Sequence, residues 1–250
     1  MSNVVINPFV FAGASFVPTD IAELERWYDA DLSDFTAGTW EDLSDNGVDV
    51  TQATAGNRPT FNATGINGEP SLTFDGSNDR LTNTTVLMRD LDQMTALVIT
   101  DASAQSGGAC LLMEGASNGT NQFYIVDRGG SGDTTNVFIR QNNFQTVINA
   151  DGPDDVYDGN VSFHGVKIDQ TAEEVVWIDE LTESTATAFS QSIGPVTLNQ
   201  HAIGCQLRTT ASNFFTGELG AVLIFSKLLS STELENVRDY YVDRGYLSAL

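Results

Sequence analysis

The sequence predicts one all-β sandwich domain, closed by a short C-terminal helix and preceded by an extended arm. Three observations carry this. Short segments rich in Val, Ile, Phe and Thr follow one another between residues 96 and 225, separated by Gly, Asp, Asn or Ser clusters rather than by helices. Hydrophobic residues make up 41% of the 250, enough for a sizeable core despite the charge. No linker or internal repeat divides the chain, and all-β sandwiches of this length form single domains.

Residues 1–17 form an apolar arm ending at Pro18, with Val4, Val5, Ile6, Phe9, Val10 and Phe11 as candidate anchors on a neighbouring subunit. Such a segment is an aggregation risk unless it pairs or docks. Residues 20–80 are loop-rich, with tight turns expected at Asn46-Gly47 and Asn67-Gly68. Strands are expected at 96–100, 110–113, 123–126, 137–140, 161–168, 174–178, 185–189, 201–207 and 219–225. Ser230-Ser231-Thr232-Glu233 then matches a helix capping box. Leu234, Val237 and Tyr241 supply one apolar stripe, and Gly245 a C-terminal stop. Domain 18–250 follows the arm.

Charge excludes several function classes. Eleven Lys+Arg stand against 34 Asp+Glu, a formal net charge of −23. Nucleic-acid binding needs a basic stripe that replaces counterions, so no nucleic-acid partner is expected. Anionic membrane surfaces are disfavoured, and no segment approaches a membrane span. The acidity serves solubility and mutual repulsion, or supplies carboxylates for divalent cations; charge alone does not separate the two. The start lacks a basic n-region and is broken by Asn7 and Pro8, so it does not read as a signal peptide. Cys110 and Cys205 sit in apolar runs and read as buried free thiols or as a pair close enough to bridge.

Several separated blocks carry a family resemblance. They are Leu24 to Asp31, Trp40 to Gly47, Thr51 to Thr54, Arg58-Pro59-Thr60, Gly65 to Pro70, Leu72 to Leu81, Phe215 to Gly220 and the run from Ile224 into the helix. In order and spacing, over about residues 21–247, they resemble the laminin G-like branch of the concanavalin A-like lectin/glucanase superfamily. The resemblance implies a two-sheet antiparallel jelly roll, found in secreted carbohydrate-active proteins and in bacteriophage structural proteins. Trp27 and Trp40 read as core rather than as sugar platforms.

Catalytic signals are missing. Retaining glycosidases need two carboxylates about 5 Å apart. Glucanases of this superfamily carry them as Glu-x-Asp-x-x-Glu, and here no glutamate is followed two positions later by an aspartate. His164 and His201, the only histidines, lie in strand-like runs, and no Gly-x-Ser-x-Gly elbow exists. Calcium is the one cofactor weighed. Asp42 to Gly47 resembles the first half of a calcium loop, but position 53 is Ala where the bidentate Glu belongs. Asp75, Asn78 and Asp79 form a second oxygen cluster.

With catalytic signals missing, the resemblance implies a non-enzymatic phage virion protein. It would be a capsid decoration (cement) or head/tail surface protein at the virion surface, made in the host cytoplasm. Its partners would be major capsid or tail proteins and further copies of itself as a homo-oligomer. Host glycans are a further expected partner, with Tyr157 and Phe144 as stacking aromatics and Asp75, Asn78 and Asp79 as hydrogen-bonding groups. The alternative is a secreted or cell-surface carbohydrate-binding module, and after it a divergent glycoside hydrolase.

Overall fold

The computed structural model describes residues 15–33, 35–103, 105, 108–129, 134–142 and 145–250. The arm anchors Val4, Val5, Ile6, Phe9, Val10 and Phe11 lie outside the described residues, as does Phe144.

The region read as loop-rich contributes five strands: β1 (Leu24–Asp29), β2 (Thr39–Trp40), β3 (Val50–Thr51), β4 (Thr60–Asn62) and β5 (Ser71–Asp75); β6 (Leu81–Asn83) follows directly. The middle of the chain gives β7 (Gln93–Asp101), β8 (Cys110–Gly115), β9 (Phe123–Arg128), β10 (Asn136–Asn142), β11 (Gln145–Asp151), β12 (Val161–Asp169) and β13 (Glu174–Asp179). Then come β14 (Thr182–Glu183), β15 (Thr187–Ala188), β16 (Gln200–Ile203), β17 (Gln206–Leu207), β18 (Ala211–Ser212) and β19 (Thr216–Phe225). The helix α1 spans Ser231–Asp243.

These strands build two antiparallel sheets, the jelly roll that the blocks implied. The first runs β14-β13-β12-β7-β19-β5-β4, with β1 also on β19 and β15 on β13. The second runs β11-β10-β9-β8-β16-β6-β3-β2. The expected strand at 201–207 is broken at Gly204, whose φ of +87° bends the chain out of the sheet into the β17–β18 hairpin. A Cβ there would meet the Phe74 ring at 2.3 Å, so both the turn and the close approach require glycine. The expected strand at 185–189 shrinks to two residues.

Alternation along each strand sorts the apolar residues into three layers. Between the sheets lie Leu72, Phe74, Leu111, Tyr124, Val126, Ile139, Val166 and Val222, with Trp40 packed on Tyr28 at 5.6 Å. On the outer face of the first sheet, Leu97, Ile99, Phe163, Leu223 and Phe225 meet Leu234, Val237 and Tyr241 of α1. The capping box forms as its sequence specifies: Glu233 N–H donates to Ser230 Oγ at 3.3 Å, and Ser230 N–H donates to Glu233 Oε2 at 2.8 Å. On the outer face of the second sheet, Cys110, Met113, Phe123, Ile125, Ala202 and Cys205 form a smaller cluster with Phe138, Leu207, Ala211 and Phe214. One flank is thus capped by a helix, and among the described residues the other carries the β17–β18 hairpin.

Candidate functional site

The outer face of the second sheet is the candidate binding surface. Residues 123 and 125 of β9, and 138 and 140 of β10, share this face because alternate positions on a strand point the same way. The register sets Arg140 opposite Phe123 and Phe138 opposite Ile125. Phe123 and Phe138 pack edge to face, with centroids 4.9 Å apart. Arg140 stands over both rings, 5.2 Å from Phe123 and 4.7 Å from Phe138. Arg128 covers Phe138 at 5.0 Å, and Arg208 reaches Phe123 at 5.9 Å from beyond β17. The order Arg128, Phe138, Arg140, Phe123, Arg208 makes a ladder in which ring faces separate like charges.

This concentration is unusual for the chain. Of its nine arginines, three meet here, in a protein of net charge −23. Among the described residues none of the three forms an ion pair, whereas Arg238 and Arg244 bind Glu180, Asp29 and Asp31. The Nε atoms of Arg128 and Arg140 are buried without a hydrogen-bond partner among the described residues. Burial, followed by the charges of Arg208 and Arg128, holds the Arg140 guanidinium below its ordinary pKa. Burial also lowers Arg128, which Asp151 partly offsets. Arg208 is steadied by donating from Nη1 to Asn121 Oδ1.

Two grooves flank the hairpin on this face. One, about 260 Å³, is lined by Gly119, Asn121, Arg208 and Thr209. The other, about 470 Å³, is lined by Asp49, Thr51, Thr82, Asn83, Gln200 and Leu207, among others. Thr51 and Thr82 are paired across β3 and β6, so their hydroxyls share the groove floor. The surface thus offers cations, a half-buried phenylalanine edge at Phe138 and two polar grooves.

The residues singled out in the sequence do not assemble on it. Tyr157 is fully buried, and its hydroxyl donates to Asp127 Oδ1 at 2.5 Å. It therefore has no free ring face for a sugar, a correction caused by the buried carboxylate that draws it inward. Asp75 and Asp79 each commit one carboxylate oxygen to their own loop, away from the arginine face. Asp75 Oδ1 accepts from Ser77 N–H and Asn78 N–H at 2.8 and 3.2 Å, and Asp79 Oδ2 accepts from Asp75 N–H at 3.0 Å. Asn78 is half-buried beside them. Asp42 likewise accepts from Trp27, Ser44 and Val48 N–H, which turns its carboxylate toward backbone donors rather than toward a cation. Among the described residues no group of three or more His, Cys, Asp or Glu could hold a metal ion.

A buried polar network joins the two sheets. Asp127 of β9 accepts from Thr135 Oγ1 at 3.0 Å as well as from Tyr157, and its other oxygen lies 3.1 Å from His164 Nε2 on β12. Ser162 Oγ lies 3.0 Å from His164 Nδ1. Serine, histidine and aspartate stand in line, yet His164 is fully buried and the carboxylate already serves three donors. The arrangement holds the sheets in register, and both histidines are strand residues as their runs implied.

No family model matches this sequence, and no curated protein does. Solved structures do. The CBM40 carbohydrate-binding module of the Ruminococcus gnavus IT-sialidase, bound to α2,3-sialyllactose, is similar with a TM-score of 0.51 and 15% identity, covering 59% of this chain and 83% of the module. The NanB sialidase of Streptococcus pneumoniae is similar with a TM-score of 0.52 and 13% identity, over 64% of this chain but only 26% of the sialidase. The binding domain of Paraclostridial Mosquitocidal Protein 1 is similar with a TM-score of 0.63 and 8% identity, over 89% of this chain and 53% of that one. At these identities the likeness establishes the fold: this chain is a jelly-roll sandwich of the architecture used by carbohydrate-binding modules.

Proposed function

We propose that the chain is a non-catalytic binding module that holds an acidic glycan on the outer face of its second sheet. The carrying observation is the ladder of Arg128, Arg140 and Arg208, three cations gathered without carboxylate partners among the described residues of a strongly acidic protein. Gathering like charges costs free energy, and a bound carboxylate or sulfate offsets it while satisfying the open guanidinium N–H groups. Phe138 supplies a half-buried edge for a sugar ring, and the threonine-lined groove supplies hydroxyl partners for further residues of the glycan. The Ruminococcus gnavus module, described with sialyllactose bound, supports an acidic sugar as the class to try first.

The test is calorimetric titration with α2,3-sialyllactose, a sulfated lactose, and lactose as the neutral control. Binding of a charged sugar but not of lactose is expected. Arg140→Ala should weaken it by about 1.5–3 kcal/mol, roughly tenfold to a hundredfold. Equal binding of neutral and charged sugars, or unchanged affinity in Arg140→Ala, overturns the reading.

The wider reading places this module on a phage virion, as a capsid decoration or head/tail surface protein whose glycan face points outward. It is supported by the resemblance of the sequence blocks and by the run of apolar side chains at Val4, Val5, Ile6, Phe9, Val10 and Phe11. That run suits pairing or burial on a neighbouring subunit.

A further inference from the structure

We infer that Cys110 and Cys205 are the two halves of a cross-strand disulfide that locks the β17–β18 hairpin onto the second sheet. The chain has two cysteines, 95 positions apart, and the fold brings both into one buried cluster. Strands β8 and β16 are antiparallel, with Ile203 opposite Leu112. One step further Gly204 N–H still donates to Leu111 O at 2.8 Å, and the next residue, Cys205, enters the same buried outer-face cluster as Cys110.

The bend at Gly204 does not carry Cys205 away. It lifts the chain onto the outer face, where the Cys110 side chain also points, while Phe214 returns to bridge Cys110 within the sheet. Cys110 N–H donates to Asn213 O at 2.8 Å, so both ends of the hairpin converge on this cysteine. Each thiol is fully buried in the reduced state described here. Burial pushes the Cys205 thiol up to about 12, and it raises Cys110 as well, with the neighbouring Cys205 adding to the effect. Thiolates are therefore scarce in the folded protein, and exchange belongs to the stage of folding before the cluster closes.

The chemistry balances with a disulfide oxidant such as oxidised glutathione. One cysteine thiolate attacks the glutathione disulfide, giving a mixed disulfide and one glutathione thiolate. The second cysteine thiolate displaces the other glutathione. The protein loses two protons and two electrons, and the oxidant leaves as two reduced thiols. The bond would tie the hairpin stem beneath Arg208, fixing one end of the arginine ladder to β8.

The experiment is to unfold the full chain in denaturant with reductant, then refold it with oxidised glutathione or with a thiol reductant. Monomers from the oxidised arm should lack two hydrogens by intact mass, show no free thiol after denaturation, and melt roughly 4–16 °C higher than the reduced arm. A reduced-arm control treated with iodoacetamide while folded should resist alkylation. Three results overturn the inference: a monomer with two free thiols after oxidative refolding, accumulation of glutathione adducts without ring closure, or a bonded form that melts lower than the reduced one. The Cys110→Ala and Cys205→Ala variants provide a second reading. Each must stop at one mixed disulfide with glutathione, and the melting-temperature gap between oxidised and reduced arms must vanish in both.

Discussion

Replacing Asp127 with alanine should unfold the sandwich at much milder conditions without touching its surface. In the native protein the carboxylate receives Tyr157 Oη at 2.5 Å and Thr135 Oγ1 at 3.0 Å, and lies 3.1 Å from His164 Nε2. All four residues are buried, Asp127 itself being 5% exposed. Alanine leaves three polar groups without their partner, and each buried orphan costs about 1–3 kcal/mol. Water entering the small void recovers part of that, so the expected loss is about 3–5 kcal/mol. For a domain with a total stability of about 5–15 kcal/mol, this is a large share. Equilibrium urea unfolding followed by tryptophan fluorescence reads it as a lower midpoint at constant slope. Asp127→Asn keeps the volume and one acceptor oxygen but turns an NH2 toward one of the former donors, so it should fall between wild type and alanine. A cost under about 1 kcal/mol for Asp127→Ala, with the slope unchanged, would refute the view that this network holds the two sheets together.

Three smaller expectations follow from the ends of the chain. Ser230→Ala removes the acceptor for Glu233 N–H and should cost about 1 kcal/mol, a drop of roughly 2–4 °C in Tm on calorimetry. Glu233 is held down from 4.5 to about 2, first by its hydrogen bond from Lys227 and then by the Ser230 groups. Because the folded value is depressed, its stabilisation of α1 is complete above about pH 4.5 and is lost as pH falls toward 2; far-UV ellipticity in acid should show this, and Glu233→Gln should flatten the dependence. On the proposed anchoring role of the arm, deleting residues 2–14 should abolish self-association while leaving the thermal transition of the jelly roll in place, read by analytical ultracentrifugation beside calorimetry; unchanged association would overturn that role.

Much of the architecture was legible because it is local. Alternating Val, Ile and Phe segments located the central strands, and Ser230 with Glu233 located the helix start to the residue. Trp27 and Trp40 are buried as their acidic, alternating surroundings implied. Strand β1 was harder to see, because its burial comes from both α1 and β19, about two hundred positions away. The site was the least legible part. Tyr157 follows Asp154, Asp155 and Val156 and precedes Asp158, which reads as an exposed loop, and only Asp127, thirty residues earlier, explains why it is drawn inside. The arginine ladder combines residues 128, 140 and 208, joined by the β9–β10 register and by a hairpin that departs at Gly204. The one sequence signal was scarcity. In a chain with eleven basic residues, Arg128 and Arg140 both lie near phenylalanines, at 123 and 138, in neighbouring strand segments.

The segregation of those arginines shapes what the molecule can meet at a distance. At physiological ionic strength a charge is felt over about 8 Å, so the ladder is attractive only to a group already near its rings. Further out, the excess of carboxylates governs, and an incoming anion is repelled in proportion to its own charge. A long polyanion is turned away before any one of its groups reaches Arg140. A small anion with a single negative charge would meet a lower barrier before the local attraction of the three guanidinium groups takes over. Such a surface filters by charge density rather than by sign, and added salt lowers the barrier while it weakens that attraction.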